Sequence, residues 1–160
     1  MDSHVFLPEH IRFRGGIMIY TEMTKKAIRF AFQAHEGQLD RSGLPYILHP
    51  LHLAEQMTSE DACVTALLHD ILEDTDATVE DLRKEGFSET QIEAVELLSR
   101  SEDEDYFDYV RRIRSNALAK EVKLADLAHN RDRTRLEHIS EKDEKRFQKY
   151  AEAVRILTEE

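Results

Sequence analysis

The sequence predicts an all-α domain, and three observations carry that prediction. Apolar residues recur at helical rather than alternating spacing along most of the chain. Only five glycines and three prolines interrupt 160 residues. Two of those prolines and one glycine fall together between Ser42 and Pro50, which leaves long periodic stretches on either side. At this length one domain with a sizeable core is expected. Hydrophobic residues make up 41% and charged residues 34%, which fits a folded globular chain and argues against wholesale disorder.

The elements follow in order. Residues 1–22 read as an N-terminal extension, with residues 23–160 as the domain. Ile17-Met18-Ile19-Tyr20 within the extension is either a short packed strand or an apolar tether. A first helix runs from about Thr21 to Glu36, with Ala27, Ile28, Phe30, Ala31 and Ala34 as its apolar stripe and Gly37 as its stop. His35, at its end, reads as a capping or packing residue. The loop from Gln38 leads to Pro50, which suits the first turn of a second helix reaching about Met57. His49 then stands at the helix mouth, and His52 faces outward or makes a local contact.

The helix from about Ser59 to Glu73 is the centre of the chain. A short helix follows from Thr78 to Glu85, then one capped by Ser88. The acidic run Ser101 to Asp105 is a solvated loop and helix start, without the glycine and alternating ligands of a calcium loop. Tyr106, Phe107, Val110 and Ile113 give the next helix its apolar face. Long helices over about Ala117–Asp132 and Ser140–Leu157 complete the domain.

A net charge of −11 with no basic tail excludes general nucleic-acid affinity. It leaves room for a phosphorylated small molecule, which needs only a local cluster of cations. No apolar run approaches the roughly 18 residues of a membrane span, and residues 1–14 lack the apolar centre of a signal peptide. The single cysteine, Cys63, lies in an apolar helix and packs as a small hydrophobe. A reducing cytoplasm is the expected location; the oligomeric state is left open.

Chemistry concentrates in Thr65–Thr75. His69-Asp70 sits among Leu67, Leu68, Ile71 and Leu72, and Glu73-Asp74 follows four residues later. In a continuous helix i and i+4 share a face, so His69 lies beside Glu73 and Asp70 beside Asp74. Three carboxylates and an imidazole in apolar surroundings are costly without a counter-charge, and a metal cation supplies one. Asp126 is similarly embedded among Val122, Leu124, Ala125, Leu127 and Ala128, with Asn130 one turn on. His49, His69, Asp70 and Asp126 form a mixed nitrogen and oxygen set that suits Mn, Fe, Zn or Ni better than Ca. A metal so held activates water near neutral pH. Glu73 and Asp74 then position that water and shuttle a proton, so hydrolysis of a phosphoester or pyrophosphate is the implied reaction class.

The order His…His-Asp…Asp resembles that of HD-domain metal-dependent phosphohydrolases. Among them the chain is similar to the hydrolase domain of the RelA/SpoT family. The matching segments are Ala34-His35-Glu36-Gly37-Gln38, Ser42-Gly43 with Pro45-Tyr46-Ile47 and His49-Pro50, Leu67-Leu68-His69-Asp70 with Glu73-Asp74-Thr75, and Val122-Lys123-Leu124-Ala125-Asp126 with His129-Asn130. The resemblance implies a single HD-domain helical bundle and Mn(II) held by His49, His69, Asp70 and Asp126. It implies Glu73 and Asp74 as the catalytic pair, and Arg41, Ser42 and Asn130 as nucleotide contacts. The implied reaction is removal of the 3′-pyrophosphate from ppGpp and pppGpp.

The chain departs from the family pattern at three places. Asp40 replaces the first of two basic residues, Leu127 replaces an arginine after the metal aspartate, and Arg131-Asp132-Arg133 replaces Met-Arg-Thr, with Thr134 one place late. Two other readings therefore stand beside the first. One is an HD phosphohydrolase acting on another nucleotide or a phosphorylated cofactor, favoured if Asp40 repels a polyphosphate. The other is a catalytically weak nucleotide-binding module, against which the intact Glu73-Asp74 pair argues.

Overall fold

A computed structural model describes residues 18–159. Among them nine α-helices follow one another: α1 (Glu22–Ala34), α2 (Leu48–Ala54), α3 (Glu60–Leu68), α4 (Ile71–Asp74), α5 (Val79–Lys84), α6 (Glu89–Leu98), α7 (Tyr106–Ile113), α8 (Ala117–Asn130) and α9 (Glu141–Thr158). A 3-10 turn, Arg133–Arg135, separates α8 from α9. There is no strand among the described residues, only an isolated antiparallel bridge between Leu39 and Pro45. The all-α expectation holds.

Helix starts follow the side chains that can cap them. Thr21, Thr78, Ser88 and Ser140 each accept a backbone N–H three residues on, and the third residue reciprocates. The α1 helix stops two residues short of the expected Glu36. Gly37 then takes φ +79°, which turns the chain into the loop before α2.

Most of the extension over residues 1–22 lies outside the described residues. Of the proposed strand or tether, Met18 is buried in the core and its sulfur lies 3.3 Å from Cys63 Sγ, while Tyr20 is exposed.

The hub is α3. Every residue from Ala62 to Leu68 is buried, and the helix packs against α1, α2, α6 and α8. A helix apolar on all sides can only sit inside a bundle. Truncating Leu67 or Leu68 to Ala costs about 2–5 kcal/mol at such a site.

The expected continuous helix from Ser59 to Glu73 is broken. The α3 helix ends at Leu68 and α4 begins at Ile71, with Asp70 at φ −103°, ψ 3° between them. His69 Nδ1 bonds to the Ala66 carbonyl at 2.7 Å. A continuous helix would offer that carbonyl to the Asp70 N–H, so a ring–backbone contact competes with the helical ladder. The Asp74 N–H still bonds to Asp70 O at 2.9 Å. Asp70 and Asp74 thus stay one turn apart, as a helix would have them, while His69 Nε2 comes within 3.8 Å of Asp126 on α8.

Candidate metal centre and active-site pocket

Three separate elements bring the four proposed ligands together. The first turn of α2 carries His49, the α3 end carries His69 and Asp70, and the inner face of α8 carries Asp126. His49 Nε2 lies 3.0 Å from Asp126 Oδ1, and His69 Nε2 lies 2.9 Å from Asp70 Oδ2 and 3.8 Å from Asp126 Oδ1. The metal-binding atoms of His49, His69 and Asp70 all fall within 4.8 Å of one another.

His69 shows that this set fits a cation. Its Nδ1 is engaged by the Ala66 carbonyl, and its buried Nε2 has no properly aligned hydrogen-bond partner. That nitrogen is aimed at carboxylates and is short of an electrophile. Burial disfavours the charged ring, yet the adjoining Asp70 and Asp126 carboxylates outweigh it and push His69 up to about 9. In the same exchange, burial would raise Asp70, but the His69 ring holds it down at about 2. A proton on His69 would supply in the absence of metal the positive charge that two carboxylates and two imidazoles could otherwise take from a cation.

The surroundings fix the ligands. The Tyr46 hydroxyl donates to Asp70 Oδ2. Lys123 Nζ donates to Asp126 Oδ2 at 2.8 Å and Asn130 Nδ2 to Asp126 Oδ1 at 2.6 Å. Burial opposes both charges of the Lys123–Asp126 pair, but their mutual attraction raises the lysine and lowers the aspartate well past their usual ranges. Lys123 precedes Asp126 by one helical turn, so its proximity was legible in the sequence although it was not singled out.

The acidic pair stands beside this cluster. Carboxylate oxygens of Asp70, Glu73 and Asp74 come within 4.8 Å of one another. Glu73 Oε1 accepts the Arg100 N–H at 2.7 Å. Burial first, then the charges of Asp70 and Asp74, raise Glu73 above the ordinary glutamate range against that hydrogen bond. Burial and Asp70 raise Asp74 in the same way.

His49, Asp70 and Asp126 line a cavity of about 600 Å³ together with Glu73 and Asp74, while His69 is buried and is not part of its lining. Arg41 and Ser42 stand on its wall with Asn130, so the three proposed nucleotide contacts border one space with the metal set. Sequence reasoning missed another part of the lining: Arg100, Arg146 and Lys149, with the rings of Tyr106 and Tyr150. Lys149 Nζ lies 4.5 Å from the Tyr106 ring centre. Burial and the cations around Lys149 (Arg100, Arg146, Lys123 and Arg41) lower its pKa. A chain that is acidic overall thus presents a cationic wall here.

The departures acquire physical reasons. Asp40 Oδ1 accepts the N–H groups of Ser42 at 2.8 Å and Leu44 at 3.0 Å, while Oδ2 pairs with Arg135 Nη2 at 3.1 Å. Its charge is engaged within the protein, which weakens the argument that Asp40 repels a polyphosphate. Leu127 is fully buried in the core. Asp132 caps the 3-10 turn through the Thr134 N–H, and Arg133 pairs with Glu144 on α9.

Comparison with known proteins shows the family. The HD domain family model matches residues 27–157. The chain belongs to the HD-domain family, whose members bind a divalent metal. It is 38% identical over 144 residues to a GTP pyrophosphokinase of Myxococcus xanthus, a match spanning 79% of this chain and 19% of that protein. It is 42% identical over 81 residues to the guanosine-3′,5′-bis(diphosphate) 3′-pyrophosphohydrolase of Aquifex aeolicus, 48% of this chain and 12% of that one. It is 35% identical over 121 residues to the bifunctional (p)ppGpp synthase/hydrolase SpoT of Escherichia coli, 66% of this chain and 17% of that protein. The chain therefore spans about a fifth or less of these relatives. Among solved structures, a metazoan ortholog of SpoT that hydrolyzes ppGpp superimposes with a TM-score of 0.70 at 25% identity, covering 88% of each chain.

Proposed function

We propose that this chain is a metal-dependent phosphohydrolase that removes the 3′-pyrophosphate of guanosine alarmones, converting ppGpp to GDP and pppGpp to GTP with release of pyrophosphate. The observation that carries this reading is the meeting of His49, His69, Asp70 and Asp126 beside Glu73 and Asp74, in a cavity with a cationic wall. The names of the relatives supply the substrate. His49, His69, Asp70 and Asp126 would hold the ion, and among the Mn, Fe, Zn or Ni that this donor set suits, the family resemblance points to Mn(II). When bound, a divalent cation supplies Lewis acidity toward water and phosphoryl oxygens.

The chain's own residues do the remaining work. Water adds to the phosphorus attached to ribose O3′, the P–O3′ bond breaks, and pyrophosphate leaves while O3′ takes up a proton. Glu73, steadied by the Arg100 N–H, orients the water. Glu73 and Asp74, both raised by burial and by like charge, hold a proton more readily than ordinary carboxylates. This pair takes the proton from water and delivers it to O3′. Arg41, Ser42 and Asn130 contact the nucleotide, and Arg100, Arg146 and Lys149 offset the phosphate charge.

The hydrolase domain on this reading occupies residues 23–160, a span that includes the 27–157 matched by the family model. No helix among the described residues is long and apolar enough to cross a membrane. A reduced, buried Cys63 and a nucleotide substrate fit a cytoplasmic location.

The test is product analysis with Mn(II) on ppGpp, GMP, GTP and NADPH. GDP and pyrophosphate from ppGpp are expected. Turnover of another nucleotide with ppGpp untouched would keep the metal site and discard the alarmone.

A further inference from the structure

Both proposed histidine ligands must fix which ring nitrogen carries hydrogen, because only the bare nitrogen can bind a metal. For His69 the Ala66 carbonyl does this. For His49 the partner is unusual. His49 Nδ1 lies 2.6 Å from His129 Nδ1, the ring planes differ by 10°, and the centroids are 4.9 Å apart. Rings stacked face to face could not bring two nitrogens so close. Near-parallel planes at these distances mean that the imidazoles lie edge to edge in one plane, which is the arrangement of a straight hydrogen bond.

One nitrogen of such a pair donates and the other accepts. We propose that His129 is a positioning residue for the metal centre: its Nδ1 accepts the hydrogen of His49 Nδ1 and so leaves His49 Nε2 bare toward the ion. This rests on the assignment of His49 as a ligand made above.

The rest of the molecule holds His129 in that role. The His52 ring packs over it at 4.2 Å between centroids. Arg135 Nη1 donates to the His129 carbonyl at 3.1 Å, which fixes the backbone at the end of α8. The groups around the ring are Arg135, His49, His52 and Asp126. An N–H···N bond between the two Nδ1 atoms needs one bare nitrogen, so an accepting His129 carries its hydrogen on Nε2 and is neutral. The acceptor is a neutral imidazole and not the carboxylate or carbonyl usual behind a metal-bound histidine. It orients His49 without adding negative charge to a centre that already has two carboxylates.

The experiment is Mn(II) affinity of the purified chain, by electron paramagnetic resonance, for the native protein, His129→Phe and His129→Asn. Phenylalanine keeps an aromatic ring against His52 but has no acceptor. Asparagine loses the ring but places an oxygen where Nδ1 stood. The phenylalanine variant should bind roughly 10–100-fold more weakly and the asparagine variant within about threefold of native. A packing role predicts the reverse order, and native affinity in His129→Phe, or equal loss in both variants, overturns the proposal.

If His129→Phe does not fold, ¹⁵N shifts of the native chain with Zn(II) decide the matter. Hydrogen on His49 Nδ1 and none on His129 Nδ1 is expected, and the opposite placement rejects the role. A native chain that binds no Mn(II) removes the metal reading itself, whereas native binding that His129→Phe leaves unchanged removes only this one.

Discussion

Arg135 reaches back from the 3-10 turn after α8 to Asp40 in the loop before α2, with 3.1 Å between Nη2 and Oδ2. The same guanidinium donates to the His129 carbonyl. It therefore joins the loop carrying Arg41 and Ser42 to the helix carrying Asp126. Arg135→Ala should loosen that loop. A partly buried ion pair of this kind is worth about 1 kcal/mol, so KM for ppGpp should rise roughly fivefold while kcat changes little. Steady-state kinetics read this directly, and an unchanged KM would mean that the Ser42 and Leu44 N–H bonds to Asp40 suffice to hold the loop.

Asp70 and Glu73 should separate metal binding from turnover. Asp70→Ala removes a ligand and the partner of His69, and should abolish Mn(II) uptake in a dialysis measurement. Glu73→Gln keeps the size of the side chain and lies outside the proposed ligand set. It should load metal normally and lose about 10²–10⁴-fold in kcat. Normal turnover by Glu73→Gln would show that Asp74 alone carries the proton.

Three of the proposed ligands were legible as polar residues stranded in apolar helical runs, His69-Asp70 between Leu68 and Ile71 and Asp126 between Ala125 and Leu127, whereas His49 was legible only from its place at a helix mouth and from the family resemblance. The cationic wall was not legible for the opposite reason. Arg100, Arg146 and Lys149 sit in segments rich in charge, where nothing distinguishes a pocket residue from a solvated one until α7 and α9 are packed against α8. Nor did periodicity show the break between α3 and α4, since it arises from one ring–carbonyl contact at His69. The role of His129 was likewise hidden: its partner His49 lies on another helix, and hydropathy says nothing about the plane of a ring.

Metal uptake should depend steeply on pH. His69 is protonated below about 9 in the metal-free chain, and the proton must leave before Nε2 can bind an ion. Affinity for Mn(II) should rise with pH up to about 9, with close to one proton released per ion at neutral pH. For folding the sign is opposite. The His69–Asp70 pair adds stability to the metal-free chain that is complete between the ordinary aspartate value of 3.8 and the ordinary histidine value of 6.5, fades as pH climbs through about 9, and fades again as pH falls toward about 2. Calorimetry in two buffers of different ionisation enthalpy counts the protons, and no release at neutral pH would contradict a charged His69.

Lys123→Met should distinguish charge balance from catalysis. The lysine neutralises Asp126 inside the protein, and its loss leaves that carboxylate facing only histidines and Asn130. The metal-free chain should lose roughly 2–3 kcal/mol, less than for a fully sealed pair because the cavity admits water. Added Mn(II) should restore most of the lost melting temperature by supplying the missing positive charge. Equal destabilisation with and without the ion would assign Lys123 to packing.

His49 and Asp126 stand on helices far apart in the chain, and α3 lies between them in sequence and beneath them in space. A growing or truncated chain that stops short of α8 has two histidines and an aspartate with no closing carboxylate. On the proposed ligand set, the complete cation site exists only once α2, the end of α3 and α8 have packed together. Metal should therefore load after this domain has folded and lock in a tertiary arrangement rather than guide its early steps.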